Sequence, residues 1–208
     1  MIPNYQTRCI AFEGSRRIAS GELHQVALKT KEVLDSIERG PVLILNEVTS
    51  EPIEVDFRGT PQEVFERLTT RTHLESPVET STEPVRPGRG PGRPRLGVVA
   101  REVTLLPRHW EWLNSQPGGA SVSLRRLVDE ARRMNAGSDA TRQAQEATYR
   151  FISTMAGNEP GFEEAARALF AGKLDRFEKM VENWPPDVRD HATRLAASVS
   201  RAEGSKEG

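Results

Sequence analysis

Four arginines, Arg86, Arg89, Arg93 and Arg95, are spaced through RPGRGPGRPR with only glycine and proline between them. A guanidinium is permanently charged and presents a planar fork of donors that fits an oxyanion, so this chemistry suits phosphate groups. Proline keeps such a stretch extended and glycine keeps it adaptable, which lets the charges follow a phosphate backbone. Arg101 follows inside the β-favouring run GVVAREVTLL, and Arg125 lies further on in ASVSLRRLV. From Arg86 to Met134 there are ten arginines and four acids, although the 208-residue chain carries a formal net charge of only −1. The near-neutral total conceals a basic middle between acidic flanks, which is the asymmetry of a chain with a polyanionic partner; a solvated charge run would leave the same count.

Other chemistries find little support. No glycine loop of the GxxxxGKS or GxGxxG form occurs. The four histidines, His24, His73, His109 and His191, are scattered without metal-ligand spacing. Cys9 is the single cysteine, so neither an internal disulfide nor a structural zinc site can be completed. No nucleophile-elbow motif frames a serine. Asp190-His191 reads more readily as a surface dipeptide of a helix than as a catalytic pair. Trp110, Trp112 and Trp184 could stack bases, with one of the first two packing inward. The expectation is therefore no catalytic residue, no metal, no cofactor and no enzymatic activity.

A lone cysteine fits a reducing compartment. No apolar run reaches the roughly 18 residues of a membrane span, and MIPNYQTRCIAFEG lacks the layout of a signal peptide. These features predict a cytoplasmic protein. Residues 204–208 read as a disordered tail.

The elements that must carry the arginines divide the chain. Residues 1–69 read as a small α+β module ordered strand–strand–helix–strand–strand–helix. RCIAFEG and RRIASG form its first strands, HQVALKTKEVLDSI an amphipathic helix, and PVLILNEVTSEPIEVDF a hairpin. TPQEVFERL closes it as a helix with Thr60 as N-cap, Pro61 at the first position and Glu63 at the third. Helices on one face of the sheet are expected. Residues 70–96 are rich in Pro, Ser, Thr, Glu, Gly and Arg, and read as a linker or arm. Residues 138–203 predict a bundle of short helices, with Ser138 or Asp139 capping the first and stops at Gly172 and Pro185-Pro186. The fold class is α+β.

Residues 97–136 lie between these parts. A β-favouring run ends at Leu106-Pro107, RHWEWLNSQ makes a short helix, and Pro117-Gly118-Gly119 breaks it. A second helix starts near Ser121 or Ser123, with Leu124, Leu127, Val128, Ala131 and Met134 at helical spacing. The order strand–Pro–helix–Gly turn–Ser-capped helix resembles the ribbon–helix–helix family of bacterial DNA-binding proteins. The resemblance implies an obligate homodimer whose paired strands enter the major groove. It also implies that the second helix's N-terminus, the Ser121–Ser123 backbone, grips a phosphate. Aligned on Pro107, Arg101, Val103 and Leu105 face bases while Glu102, Thr104 and Leu106 face inward. The dimer contacts then fall to Val103, Leu105, Leu106, Trp110, Leu124, Leu127 and Val128. Pro91 to Arg95, PGRPR, is similar to the Gly-Arg-Pro core of AT-hook arms, with Pro91 where an arginine is usual; such arms lie in the narrow minor groove of AT-rich DNA. Most of the chain, through GRPRLGVVAREVTLLPRHWEWL, QPGGASVSLRRLVDEAR, FEEAARALFAG and WPPDVRDHA, also resembles an uncharacterised bacterial domain-of-unknown-function family, number 2239. That resemblance implies a bacterial origin and no particular activity.

The reading that follows is a nucleoid-located DNA-binding regulator or architectural factor. Arg86, Arg89, Arg93, Arg95, Arg101, Ser121, Ser123 and Arg125 would contact double-stranded DNA, and the flanking modules would sense a signal or bind a protein partner. Two alternatives stay open: a protein–protein adaptor in which the basic stretch is only a spacer, and an RNA-binding protein using the same arginines. Residues 97–134 would then be an ordinary strand and two helices of a core.

Overall fold

The structure, a computed structural model, describes residues 6–36, 40–74, 99 and 101–204. The chain divides into two compact units, one of Met1–Ser76 with Ala136–Gly208 and the other of Pro77–Asn135. The fold class is α+β, as the sequence predicts.

The first unit is built on a three-stranded antiparallel sheet of β1 (Arg8–Glu13), β2 (Arg16–Glu22) and β3 (Val42–Asn46), in the order β2-β1-β3. Gly14 makes the β1–β2 turn in the left-handed region at φ 55°, and its amide donates to Pro41 O at 2.9 Å. Sequence explains why β1 is central. Cys9, Ile10, Ala11 and Phe12 form an unbroken apolar run, and successive side chains of a strand point to opposite faces, so both faces must be covered. All four are fully buried.

Ile10 and Phe12 join Leu45 against the later helices, namely the end of α4 (Gly119–Met155), α5 (Phe162–Phe170), α6 (Leu174–Val181) and α7 (Pro186–Gly204). Phe151, Ile152, Leu169, Phe177, Val181 and Val188 supply the bulk of that contact. Cys9 and Ala11 pack with Ile44 against Leu23 and Val26 of α1 (Leu23–Leu34) on the opposite face. Two expectations are corrected here. Helices cover both faces of the sheet, and residues 1–69 and 138–203 are one unit with a shared core rather than two modules, because neither face of β1 can be left to water.

The anticipated hairpin after Pro41 is cut short. After β3 the chain returns for one bridge, Leu45 with Pro52, made by two bonds, Asn46 N–H to Glu51 O and Ile53 N–H to Ile44 O, each 2.8 Å. Pro52 has no N–H to extend a ladder, so the second arm forms no strand. The next helix, α2 (Pro61–Leu74), starts as expected: Glu63 Oε2 accepts from Thr60 N–H at 2.7 Å, and Thr60 Oγ1 accepts from Glu63 N–H at 3.3 Å.

Helix α4 runs unbroken from Gly119 to Met155, so no new helix begins at Ser138 or Asp139. A serine able to cap does not by itself stop a helix, no proline lies between Pro117 and Pro160, and Gly137 weakens the helix without ending it. Thr141 Oγ1 even donates back to Gly137 O at 2.9 Å. The stop at Gly172 falls where the sequence places it, whereas α6 ends at Val181, ahead of the expected stop at Pro185-Pro186. Gly172 (φ 65°) ends α5 while its amide donates to Leu169 O at 3.1 Å and the Lys173 amide to Ala168 O at 2.9 Å, the pairing of a Schellman turn. Pro186 opens α7.

Candidate nucleic-acid interface

In the second unit the described residues are Val99 and 101–135. Leu106 caps α3 (Pro107–Ser115) with extended backbone, and its carbonyl accepts from His109 N–H at 2.8 Å and Trp110 N–H at 3.3 Å. Pro107 occupies the first helical position, where its missing N–H costs nothing. The turn to α4 is closed by Gln116 N–H to Leu113 O and Gly119 N–H to Gln116 O, at 3.3 and 3.0 Å. It requires glycine at 118: φ is 84°, and a Cβ there would sit 3.1 Å from Val122.

Helix α4 begins at Gly119, two residues before Ser121 and four before Ser123, which corrects the expected serine caps. Ser121 still lies ahead of the i→i−4 ladder, so its amide has no intrahelical acceptor, whereas the Ser123 amide is inside the ladder. Ser123 is buried, and its Oγ has no hydrogen-bond partner among the described residues. It is therefore a packing residue and not an exposed phosphate contact. Arg101 and Arg125 are exposed, and Arg125 Nε donates to Ser121 O at 3.1 Å. Arg86, Arg89, Arg93 and Arg95 lie outside the described residues.

Residues 101–106 pair with no strand among the described residues. All of them are exposed except Leu105, which is half-buried, so a single chain does not display the alternating faces of a ribbon. The apolar exposure is large: Val103 is 53 % exposed, Leu106 48 %, Val128 54 % and Leu127 39 %. Leu124 is half-buried. Trp110 and Trp112 both stay exposed, where one was expected to pack inward. Among the described residues of this unit only Leu113 and Ser123 are buried.

The first unit disposes of other candidates. Asp190 pairs with Arg189 at 2.9 Å and not with His191. Trp184 is buried, and its Nε1 donates to Pro160 O at 2.9 Å, so it cannot stack a base. Burial pushes the Cys9 thiol up to about 12, which leaves it protonated and inert. Among the described residues no group of three or more His, Cys, Asp or Glu is placed to hold a metal ion, and no helix is long and apolar enough to cross a membrane.

Two features escaped the sequence reading. His191 is fully buried beside Phe151 and Phe12, with ring centroids 4.6 and 6.2 Å away, and neither ring nitrogen has a hydrogen-bond partner among the described residues. The signal was present: Val188, His191, Ala192, Leu195 and Val199 repeat at helical spacing, which puts the imidazole on the apolar face of α7. The second is a cleft between the turn after β3 and α4. Its signal, Ala140, Ala144 and Ala147 at the same spacing, is that of an ordinary helix contact.

No curated protein and no solved structure matches the chain. A family model does match, over residues 8–196, and so takes in both units. The span covers most of the 208 residues, from β1 into α7, and the chain therefore belongs to the bacterial family described as "Uncharacterized protein conserved in bacteria (DUF2239)".

Proposed function

We propose that the protein is a bacterial DNA-binding factor of the nucleoid that acts as a homodimer through residues 97–134. The observation that carries this reading is the second unit's want of a core. Its described residues bury one large apolar side chain, Leu113, while Val103, Leu106, Trp110, Trp112, Val122, Leu127, Val128 and Met134 remain exposed. A short extended segment and two helices of this kind cannot hold themselves together, and a second copy covering the same surface would supply the missing burial. The extended stretch before α3 would then pair with its counterpart and carry Arg101 on the composite surface. Arg125 sits near the start of α4, where the free Ser121 amide and the positive helix end favour a phosphate. The basic run of Arg86, Arg89, Arg93 and Arg95 would extend the contact along the minor groove, with AT-rich duplex as the preferred partner. The first unit would serve sensing or assembly.

Sedimentation velocity on the full chain, paired with fluorescence anisotropy on a labelled AT-rich duplex and a matched RNA duplex, tests the reading. The expected result is a dimer that prefers DNA, with Val128→Asp weakening dimerisation at least about tenfold, since a carboxylate cannot be buried unpaired. A dimer without nucleic-acid affinity would overturn it and assign the surface to protein contacts alone; a preference for RNA would overturn the choice of DNA.

A further inference from the structure

We propose that the cleft in the first unit binds a small zwitterion of the α-amino acid class. It encloses about 430 Å³, inside the roughly 300–1,000 Å³ of small-molecule sites. Thr49 and Glu51 line it from the turn after β3, Gln143, Glu146 and Arg150 from α4, and Ser198 from α7. Every lining residue belongs to the first unit, so the proposal stands apart from the nucleic-acid reading.

The charges point to the ligand. Arg150 is half-buried and donates to the neutral Thr49 carbonyl, and among the described residues it makes no ion pair with a carboxylate. Glu51 Oε2 accepts from Thr49 Oγ1 at 3.0 Å, and Glu146 meets Arg142 Nε only at 3.9 Å. One cation and two anions thus share the cleft without neutralising Arg150. A bare anion would face two carboxylates and a bare cation would face a guanidinium. A molecule carrying both charges satisfies each, with its carboxylate forked on Arg150 and its ammonium toward Glu51 or Glu146. Val48 and the alanines at 140, 144 and 147 offer an apolar floor for a side chain.

The turn that supplies Thr49 and Glu51 is strained at Ser50, which does not itself line the cleft. Ser50 stands between two lining residues in the left-handed region, φ 54°, and is the one non-glycine residue with positive φ among the described residues. It is fully buried, and its Oγ has no partner among the described residues. The turn is held there by Ser50 N–H to Asn46 O at 2.9 Å, and by Asn46 Oδ1 accepting from the Val48 and Thr49 amides at 2.9 and 3.0 Å. Backbone strain of this sort persists where the surroundings over-determine it, and it clusters at ligand sites.

Isothermal titration calorimetry on the full chain tests the assignment, with L-leucine, L-alanine, leucinamide, N-acetyl-leucine and inorganic phosphate as probes. The expected result is saturable one-to-one binding of leucine, weakened about tenfold or more when either its amine or its carboxylate is blocked. Arg150→Gln also removes the bond to Thr49, so the Glu51→Gln/Glu146→Gln double variant is the cleaner probe of the ammonium side, and it should weaken leucine by a similar factor. The absence of saturable binding by both amino acids, equal binding of the blocked forms or of phosphate, or full affinity in the double variant would each overturn the proposal.

Discussion

His191 makes the stability of the first unit depend on pH in a calculable way. Its imidazole is 1 % exposed, lies against Phe151 and Phe12, and neither nitrogen has a partner among the described residues. Burial, first, and the Arg194 guanidinium, second, push its pKa down from 6.5 to about 4; Arg17 adds to the effect and Glu47 opposes it. The folded protein therefore holds a neutral ring where the unfolded chain takes up a proton. A group with a lowered histidine pKa leaves stability intact above about 6.5 and removes it as the pH falls toward 4. At about 1.4 kcal/mol per pH unit, the whole interval is worth about 3 kcal/mol. Urea denaturation from neutral pH to about pH 4, followed by far-UV circular dichroism, measures the slope. His191→Leu should remove it. The variant should match or exceed the native chain at neutral pH, because two orphaned polar atoms go, and should gain about 3 kcal/mol on it by pH 4. Glu13 and Glu63, whose carboxyls are held below their ordinary range by hydrogen bonds, remain in both proteins and cancel in the difference. Parallel pH curves for the two proteins, or a variant much weaker at neutral pH, would refute the reasoning.

Three further outcomes follow from local geometry. Ser50→Gly removes a left-handed serine and an orphaned hydroxyl at the price of a floppier unfolded chain, and should raise stability by about 1 kcal/mol in thermal denaturation; a loss would show the hydroxyl is bonded. Gly118→Ala places a Cβ at positive φ and 3.1 Å from Val122, so hydrogen exchange across 107–122 should accelerate in line with about 2 kcal/mol of lost protection; unchanged exchange would contradict the turn geometry. A fragment of residues 138–203 should not fold by circular dichroism, since Ile10, Phe12 and Leu45 complete its core; a cooperative melt would refute the shared core.

What was legible in the sequence was what is decided locally. The Thr60–Glu63 capping pair, the stop at Gly172, the opening of α7 at Pro186 and the turn through Gly118 depend on a few adjacent residues, and each sits where its chemistry requires. The long-range features were not legible. RCIAFE carries an unbroken apolar run, which signals burial on both faces, yet nothing local reveals that the second cover comes from helices beginning more than a hundred residues later. Ser138 has a capping side chain, but tertiary packing of Ala147, Phe151 and Ile152 and the absence of a proline keep α4 continuous through it. For the candidate interface the sequence assigned Val103, Leu106, Leu127 and Val128 to a dimer contact, and in the single chain these are exposed, as are Trp112, Val122 and Met134, which it did not assign there; it misplaced the start of α4 and with it the role of Ser123.

The central claim, that this chain binds DNA through arginine–phosphate contacts, is tested most directly by the affinity of the full chain for an AT-rich duplex as salt is raised. Six or more phosphate contacts per dimer predict a linear fall of log affinity with log salt, about a thousandfold or more between roughly 50 and 200 mM. Arg125→Ala should flatten that slope by about 1 per phosphate contact removed. Affinity that does not change with salt, or no binding at the lowest salt, would contradict the account.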